Sequence, residues 1–438
     1  MMTSDPSEVA TFRPFAPPQS APWHRRAGHQ ARAAPRANDR PPPHRSPASC
    51  RPRLFLCWED FVRNITRVLI ATAALGGTLA AATGAGLAAS HPDLKWTAIF
   101  DSTGPAGAYG TSQKNALELA AADIDAGKIE SGGQKISIDI QDSATSPAQV
   151  INIMQSAFGN GTSLIVGPTL SSEAFKADPL AVKANVPVMG VSNTANGITE
   201  MGPCVFRNSL SEAQIVPDVI EAAKKSWHVK TAAIIYGDDD QFTKADYTIF
   251  NADLPKAGVK VVDVETFHKG DVDFKAQLTK IKEAKPDVIV YGALYAEGAK
   301  LLDQARQVGL HGHEIGGNGF NSPQIIALAG KAADGVIVGA AWYAGAETNG
   351  NAAFVKNYTA KYSKSPDQFA AQAYAGAQIA AAAVKKSHPA DAAGMCSALK
   401  QVGSVQTVIG PFKFASTRDA DAHGFVVQIK NGTFSKFE

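Results

Sequence analysis

From residue 95 onward the chain repeats one pattern: a short, nearly continuous apolar run, a turn of small and polar residues, then a longer stretch with apolar residues at helical spacing. The runs "KWTAIF", "KISIDI", "SLIVGP", "VPVMGV", "TAAIIYG", "VKVVDVE", "DVIVYG" and "GVIVGAAW" read as strands. Between them "QKNALELAAADIDAG", "SPAQVINIMQSAF", "EAFKADPLAVKA", "IVPDVIEAAKKSW", "DFKAQLTKIKEA" and "EGAKLLDQARQVG" read as helices. A strand that is apolar along its whole length needs cover on both faces. Alternation with helices supplies that cover, so the pattern specifies an α/β fold with parallel sheets. These are too many strands for one small sheet, and the pattern restarts at "TAAIIYG" after a break around residues 206–211. Two similar lobes follow, which a length of 438 residues permits.

The first 90 residues do not share the pattern. Residues 1–61 hold eleven of the 25 prolines, many Arg and no Lys, with no periodic apolar signal. This composition marks an N-terminal extension that builds no core. Residues 62–90, "VRNITRVLIATAALGGTLAAATGAGLAAS", place Arg63 and Arg67 before a charge-free Ala/Leu/Gly run that ends near Gly86 and Ala88. Basic, apolar and small-residue regions in that order make a secretory signal peptide, with cleavage expected near Ala88. A membrane anchor is the alternative, which the many Ala and Gly disfavour. Because a signal peptide opens a chain, translation is expected to start near Leu54 or Val62.

Export changes how cysteine is read. Cys50 and Cys57 precede the cleavage point, while Cys204 and Cys396 remain. In an oxidising compartment these two either pair or stay as separate thiols, and the sequence leaves both open. No Cys/His spacing fits zinc, and His311 and His313 of "HGHE" lack a third ligand, so an exposed loop is expected there. The formal net charge of +2 gives no argument for nucleic acid or an anionic membrane surface. A small molecule is the expected partner.

In open parallel sheets a ligand sits beyond the carboxyl ends of the strands. The turns there are "DSTGPAGAYG", "GPTLSSEA", "GVSNTANGIT", "YGDDDQFTK", "GALYAEG" and "GGNGFNS". Their hydroxyls, amides and rings describe a polar cleft with aromatic walls. "TGPAGAYG" precedes a helix but lacks the Lys-Ser/Thr ending of a P-loop. No Ser-His-Asp, Cys-His or paired-carboxylate motif is legible, so an enzyme is not expected.

The order and spelling of these segments, "TGPAGAYG", "LIVGPTLSSEA", "PVMGVSNTA", "FRNS", "DFKAQLTKIKEAKPDVIVYGA" and "LLDQARQVGL", resemble the branched-chain amino acid binding proteins of bacterial ABC transporters. The resemblance covers nearly all of residues 95–438. It implies two Rossmann-like lobes joined by three hinge crossings, closing on a ligand in the cleft between them. The crossings fall near residues 212, 338 and 409, giving one lobe of 95–212 with 339–408 and another of 213–338 with 409–438. It also implies a monomeric periplasmic solute-binding protein that delivers an amino acid or related carboxylate to a membrane permease. Neither cofactor nor metal is implied, and ATP hydrolysis belongs to a separate subunit.

Site residues carry over singly. Ser171 and Thr194 match positions that hold the ligand carboxylate, with Ser192 contributing backbone groups; helix capping is the competing role for Ser171 and Thr194. Tyr109 matches an aromatic at the cleft rim that covers the ligand side chain, and Phe369 matches another wall. In the second lobe Phe242 is the matching aromatic and Tyr295 a lid. Asn318 stands where the amino-acid binders carry the acid that meets the ammonium. Asn can accept a hydrogen bond from an ammonium without offsetting its charge. Either Asp238, Asp239, Asp240, Asp101 or Glu297 supplies the missing charge, or the ligand is an aromatic carboxylate, an aliphatic amide or urea. A sensor ectodomain of the same fold is the remaining alternative.

Overall fold

The structure is a computed structural model that describes residues 91–438. The N-terminal extension, the signal segment, Cys50 and Cys57 lie outside the described residues. Among those described, no helix is long and apolar enough to cross a membrane.

The chain opens with β1 (Leu94–Phe100), α1 (Gly107–Asp125), β2 (Ile136–Asp142), α2 (Pro147–Gly159), β3 (Leu164–Val166), α3 (Ser171–Lys183), β4 (Val188–Gly190) and β5 (Val205–Arg207). These strands form a parallel sheet in the order β2-β1-β3-β4-β5. Position in the sheet explains the patterning. Interior β1 is buried along almost its whole length, whereas edge strand β2, "ISIDIQD", is fully buried only at Ile136 and elsewhere exposed or half-buried. β5 occupies the stretch expected to be a break; three residues are too few to show periodicity.

A second round follows: α4 (Glu212–Trp227), β6 (Thr231–Gly237), α5 (Gln241–Lys256), β7 (Lys260–Phe267), α6 (Lys275–Ala284), β8 (Val288–Gly292), α7 (Tyr295–Gln307), β9 (His313–Gly316), α8 (Pro323–Ala329) and β10 (Ile337–Ala340). After it come α9 (Asn351–Tyr362), α10 (Gln368–Ser387), α11 (Ala392–Lys400), β11 (Val405–Thr407), β12 (Gly410–Phe412), β13 (Phe425–Lys430) and β14 (Thr433–Lys436). The second sheet has seven strands in the order β14-β13-β10-β9-β8-β6-β7. β13 and β14 are antiparallel, so this sheet is mixed where the sequence pattern predicts a parallel one.

Helices α9, α10 and α11 return to the five-stranded layer, where α10 packs along α1. This is the first lobe. Helices α4 and α5 pack on the seven-stranded sheet with α6, α7 and α8, forming the second. Sequence periodicity misses α10 because fifteen of its twenty residues are buried, leaving no polar face to define a period. Its Ala-rich surface lets α1 approach closely. At Gly110 a Cβ would stand 2.1 Å from the Asp101 carbonyl carbon, so only glycine lets α1 begin against the end of β1.

Cys204, just before β5, and Cys396 on α11 form a disulfide with a Cα–Cα distance of 5.5 Å. It joins parts of the first lobe 192 residues apart in sequence. His313 opens β9 and stacks on Trp227 with ring centroids 4.2 Å apart.

Candidate functional site

A cavity lies where the carboxyl ends of both sheets face each other. The first lobe lines it with Tyr109 on α1, Thr169, Leu170 and Ser171 after β3, Ser192, Asn193 and Thr194 after β4, and Phe369 at the start of α10. The second contributes Phe242 after β6, Leu294 after β8, and Asn318 and Gly319 after β9. The cavity is about 20 Å³, little more than the room one water needs, so the two lobes stand close together around it.

The wall of the first lobe is held by hydrogen bonds among its own loops. Gln113 donates to the Ser192 hydroxyl at 2.9 Å and accepts from the Thr169 hydroxyl at 2.7 Å. Ser192 in turn donates to the Thr169 carbonyl at 2.6 Å. Both functions of the Ser192 hydroxyl are therefore used within the wall. The Ser171 oxygen accepts the N–H groups of Thr194 and Ala195, each at 3.2 Å. Ser171 thus braces the neighbouring loop instead of capping its own helix, and its hydroxyl hydrogen stays free to donate. Buried Arg207 holds the Ala195 carbonyl at 2.7 Å and pairs with Asp419 at 2.6 Å.

Tyr109 is not at the rim. It is buried, and its hydroxyl donates to the Gly319 carbonyl at 2.6 Å while accepting the Tyr295 N–H at 2.9 Å. The Tyr295 hydroxyl accepts the Ala108 N–H at 3.4 Å in return. The two rings meet edge-on at 4.9 Å, and Phe369 packs on Tyr109 at 4.5 Å. Burial pushes the Tyr109 phenol well above its usual value, so it remains a donor. The pair is a clasp between the lobes. Tyr295 backs the clasp and does not line the cavity; Leu294, one residue earlier, does.

Every lining side chain is uncharged. Three helix N-termini end at the cavity, at Ser171 of α3, Phe242 of α5 and Phe369 of α10; the carboxylates of Asp240 and Asp367 already cap the last two, so only the α3 end is without an N-cap carboxylate. Two buried carboxyl pairs stand behind the lining. Asp101 meets Glu173, and Glu212 meets Asp246, each pair leaving oxygens with no other partner. Two such groups in contact share a proton, because both cannot ionise out of water. Burial and the neighbouring Asp101 push Glu173 up to about 9. Burial also raises Glu212, against which the Thr194 hydroxyl and Arg207 work.

The acids expected to meet an ammonium are engaged elsewhere. Asp238 bonds His268 at 2.5 Å, Asp239 accepts the Lys269 N–H at 3.0 Å, and Asp240 caps α5 through the Phe242 N–H at 2.9 Å. Glu297 accepts the Gly270 N–H at 3.1 Å. Asp101 is held by Ser143 and Glu173. Asp238, Asp239 and His268 are, among the described residues, the one group whose ligand atoms could converge on a metal ion; the surface ion pair accounts for their proximity. Sequence reasoning quotes the loops containing Thr169, Asn193, Leu294 and Gly319 without selecting these residues. Their contribution depends on which side of each loop faces inward, and no residue type signals that.

Comparison with known proteins agrees with this architecture. The sequence profile of the periplasmic binding protein family matches residues 95–433. A Leu/Ile/Val-binding protein of Rhizobium johnstonii is 28% identical over 342 residues, covering 77% of this chain and 91% of that one. The branched-chain amino acid transporter substrate-binding protein LivJ of Streptococcus pneumoniae, solved with isoleucine, superposes with a TM-score of 0.73 at 25% identity, covering 78% of this chain and 98% of that one. A solute-binding protein of an ABC transporter from Rhodopseudomonas palustris, solved with 3,4-dihydroxybenzoic acid, shares the fold with a TM-score of 0.71 at 24% identity, covering 79% and 96%. The α/β architecture, the cleft at the strand ends and a profile match spanning both lobes together show that the chain belongs to the periplasmic binding protein family.

Proposed function

We propose that this chain is the exported solute-binding component of an ABC importer, which captures a small amino acid or related carboxylate between its closing lobes and hands it to a membrane permease. One observation carries the reading: a small, uncharged cavity between the lobes, ringed by hydroxyls and the N-terminus of α3. Such a site recognises a carboxylate without a buried cation and makes no bond, so the role is binding and not catalysis. The protein works as a monomer in the periplasm after removal of residues up to about Ala88. Its hinges lie near residues 212 and 338. The third lies beyond the expected 409, because β12 still pairs with β11 across Thr407 and Gly410, before the chain joins the seven-stranded sheet at β13.

Thermal melting of the full chain against leucine, isoleucine, benzoate, aliphatic amides and urea tests this. At least one small carboxylate should raise the melting temperature by linkage, with compaction in solution scattering. No response to any carboxylate overturns the reading. Aromatic carboxylates form a second reading, favoured by Tyr109, Phe369 and Phe242 on the cavity wall. Co-purification with a permease, against a histidine kinase, separates transport from a sensor role.

A further inference from the structure

Asn318 opens a short turn after β9 and lines the cavity. Its side-chain oxygen is already occupied. Gln368 Nε2 donates to Asn318 Oδ1 at 2.5 Å, and Asn321 Nδ2 donates to it at 3.2 Å. An amide oxygen has two lone pairs, so this one has no capacity left for a ligand.

The orientation of these amides is set by backbone groups at both ends. Gln368 Oε1 accepts the Ala341 N–H at 2.8 Å, which leaves its Nε2 pointing at Asn318. Asn321 Nδ2 also donates to the Gly339 carbonyl at 2.7 Å, which fixes Asn321 in turn. Turning any one amide over would set oxygen against oxygen or N–H against N–H. Among the described residues Asn318 Nδ2 has no protein acceptor, so its two N–H groups are what Asn318 offers the cavity.

Resting on the solute-binding reading, we propose that Asn318 is a donor-only, specificity-determining contact: it selects an organic acid that presents an oxygen acceptor to it and rejects one that presents an ammonium. Two further observations agree. No lining side chain is acidic. The acids expected to meet an ammonium are bonded elsewhere.

The test compares pairs of acids that differ only at this contact, by calorimetry on the full chain: leucine against 4-methyl-2-oxopentanoate, and phenylglycine against benzoylformate. In each pair an oxo oxygen replaces the ammonium. Whichever skeleton binds, the oxo acid should bind at least tenfold more tightly than the amino acid. Asn318→Asp should reverse that preference by at least tenfold. Gln368→Glu provides a second variant, since its carboxylate accepts from both Ala341 and Asn318 Nδ2 and turns the Asn318 oxygen toward the cavity, at the cost of the weaker 3.2 Å bond from Asn321. It should narrow the preference by a comparable factor, with cooperative melting confirming that the variant is folded. Equal or tighter binding of the amino acid by the wild-type chain, or an unchanged ratio in both variants, overturns the inference and leaves the solute-binding reading standing. Failure of all four acids and of benzoate to bind overturns that reading and the inference with it.

Discussion

The two lobes divide the site differently. The first lobe has an all-parallel sheet, a disulfide, and ligand loops closed on one another by Gln113, Ser192, Thr169, Ser171 and Arg207. The second has a mixed sheet, and its contribution to the cavity, Phe242, Leu294, Asn318 and Gly319, includes contacts made across the lobes to Tyr109 and Gln368. The first lobe's loops are tied within that lobe, and the second lobe's are tied partly across to it. Under the proposed function the first lobe is the grip on a carboxylate, and the second supplies closure and selection.

Four measurements break or sharpen that contrast. The largest effect is expected at Glu173 in the first lobe. Its folded value of about 9 lies above the ordinary value of 4.5, so the unfolded chain releases this proton earlier than the folded one. The stability associated with the protonated group is complete below about pH 4.5 and is lost as pH rises toward 9, at up to about 1.4 kcal/mol per pH unit. Glu173→Gln should flatten urea-unfolding stability across that window and stabilise the protein at pH 8, with no gain at pH 4. A variant with the wild-type slope removes the shared proton from the account.

Removing the disulfide by Cys204→Ala with Cys396→Ala should cost about 2–5 kcal/mol. Equal denaturation curves with and without reductant in the wild-type chain would show that the staple does not set the first lobe's rigidity. Tyr109→Phe comes next. It deprives the Gly319 carbonyl and the Tyr295 N–H of a buried partner, worth about 1–3 kcal/mol, and should weaken ligand affinity more than ligand-free stability. Equal losses in both would make the clasp a packing feature and not a closure device. Thr194→Ala should cost a carboxylate ligand about 0.5–1.5 kcal/mol. Unchanged affinity removes Thr194 from the grip.

How far the sequence can be read differs between the lobes for the same reason. Interior strands such as β1 and β8 announce themselves because burial on both faces demands apolar residues throughout. Strand β13, edge strand β14 and the enclosed helix α10 carry no such signal, the strands because they are only partly buried and the helix for want of a polar face. In the site, Ser171, Ser192, Thr194, Tyr109, Phe242, Asn318 and Phe369 are the residues that the family resemblance pointed to, and all line the cavity. Tyr295 is one residue out of register, and Tyr109 is a bridge where a rim is expected.

The sequence by itself determined the α/β alternation and the strand ends that meet at the cavity, because these follow from local periodicity; the lining side chains it pointed to came from the resemblance to a family. Only the tertiary structure decided which end of the Asn318 amide faces the cavity, which carboxyls share protons and which cysteines pair. Each of those depends on a partner far away in the chain: Gln368 lies 50 residues from Asn318, and Cys396 lies 192 from Cys204. The direction of a hydrogen bond and the charge of a buried acid are set by the groups that folding brings alongside, and no local pattern encodes them.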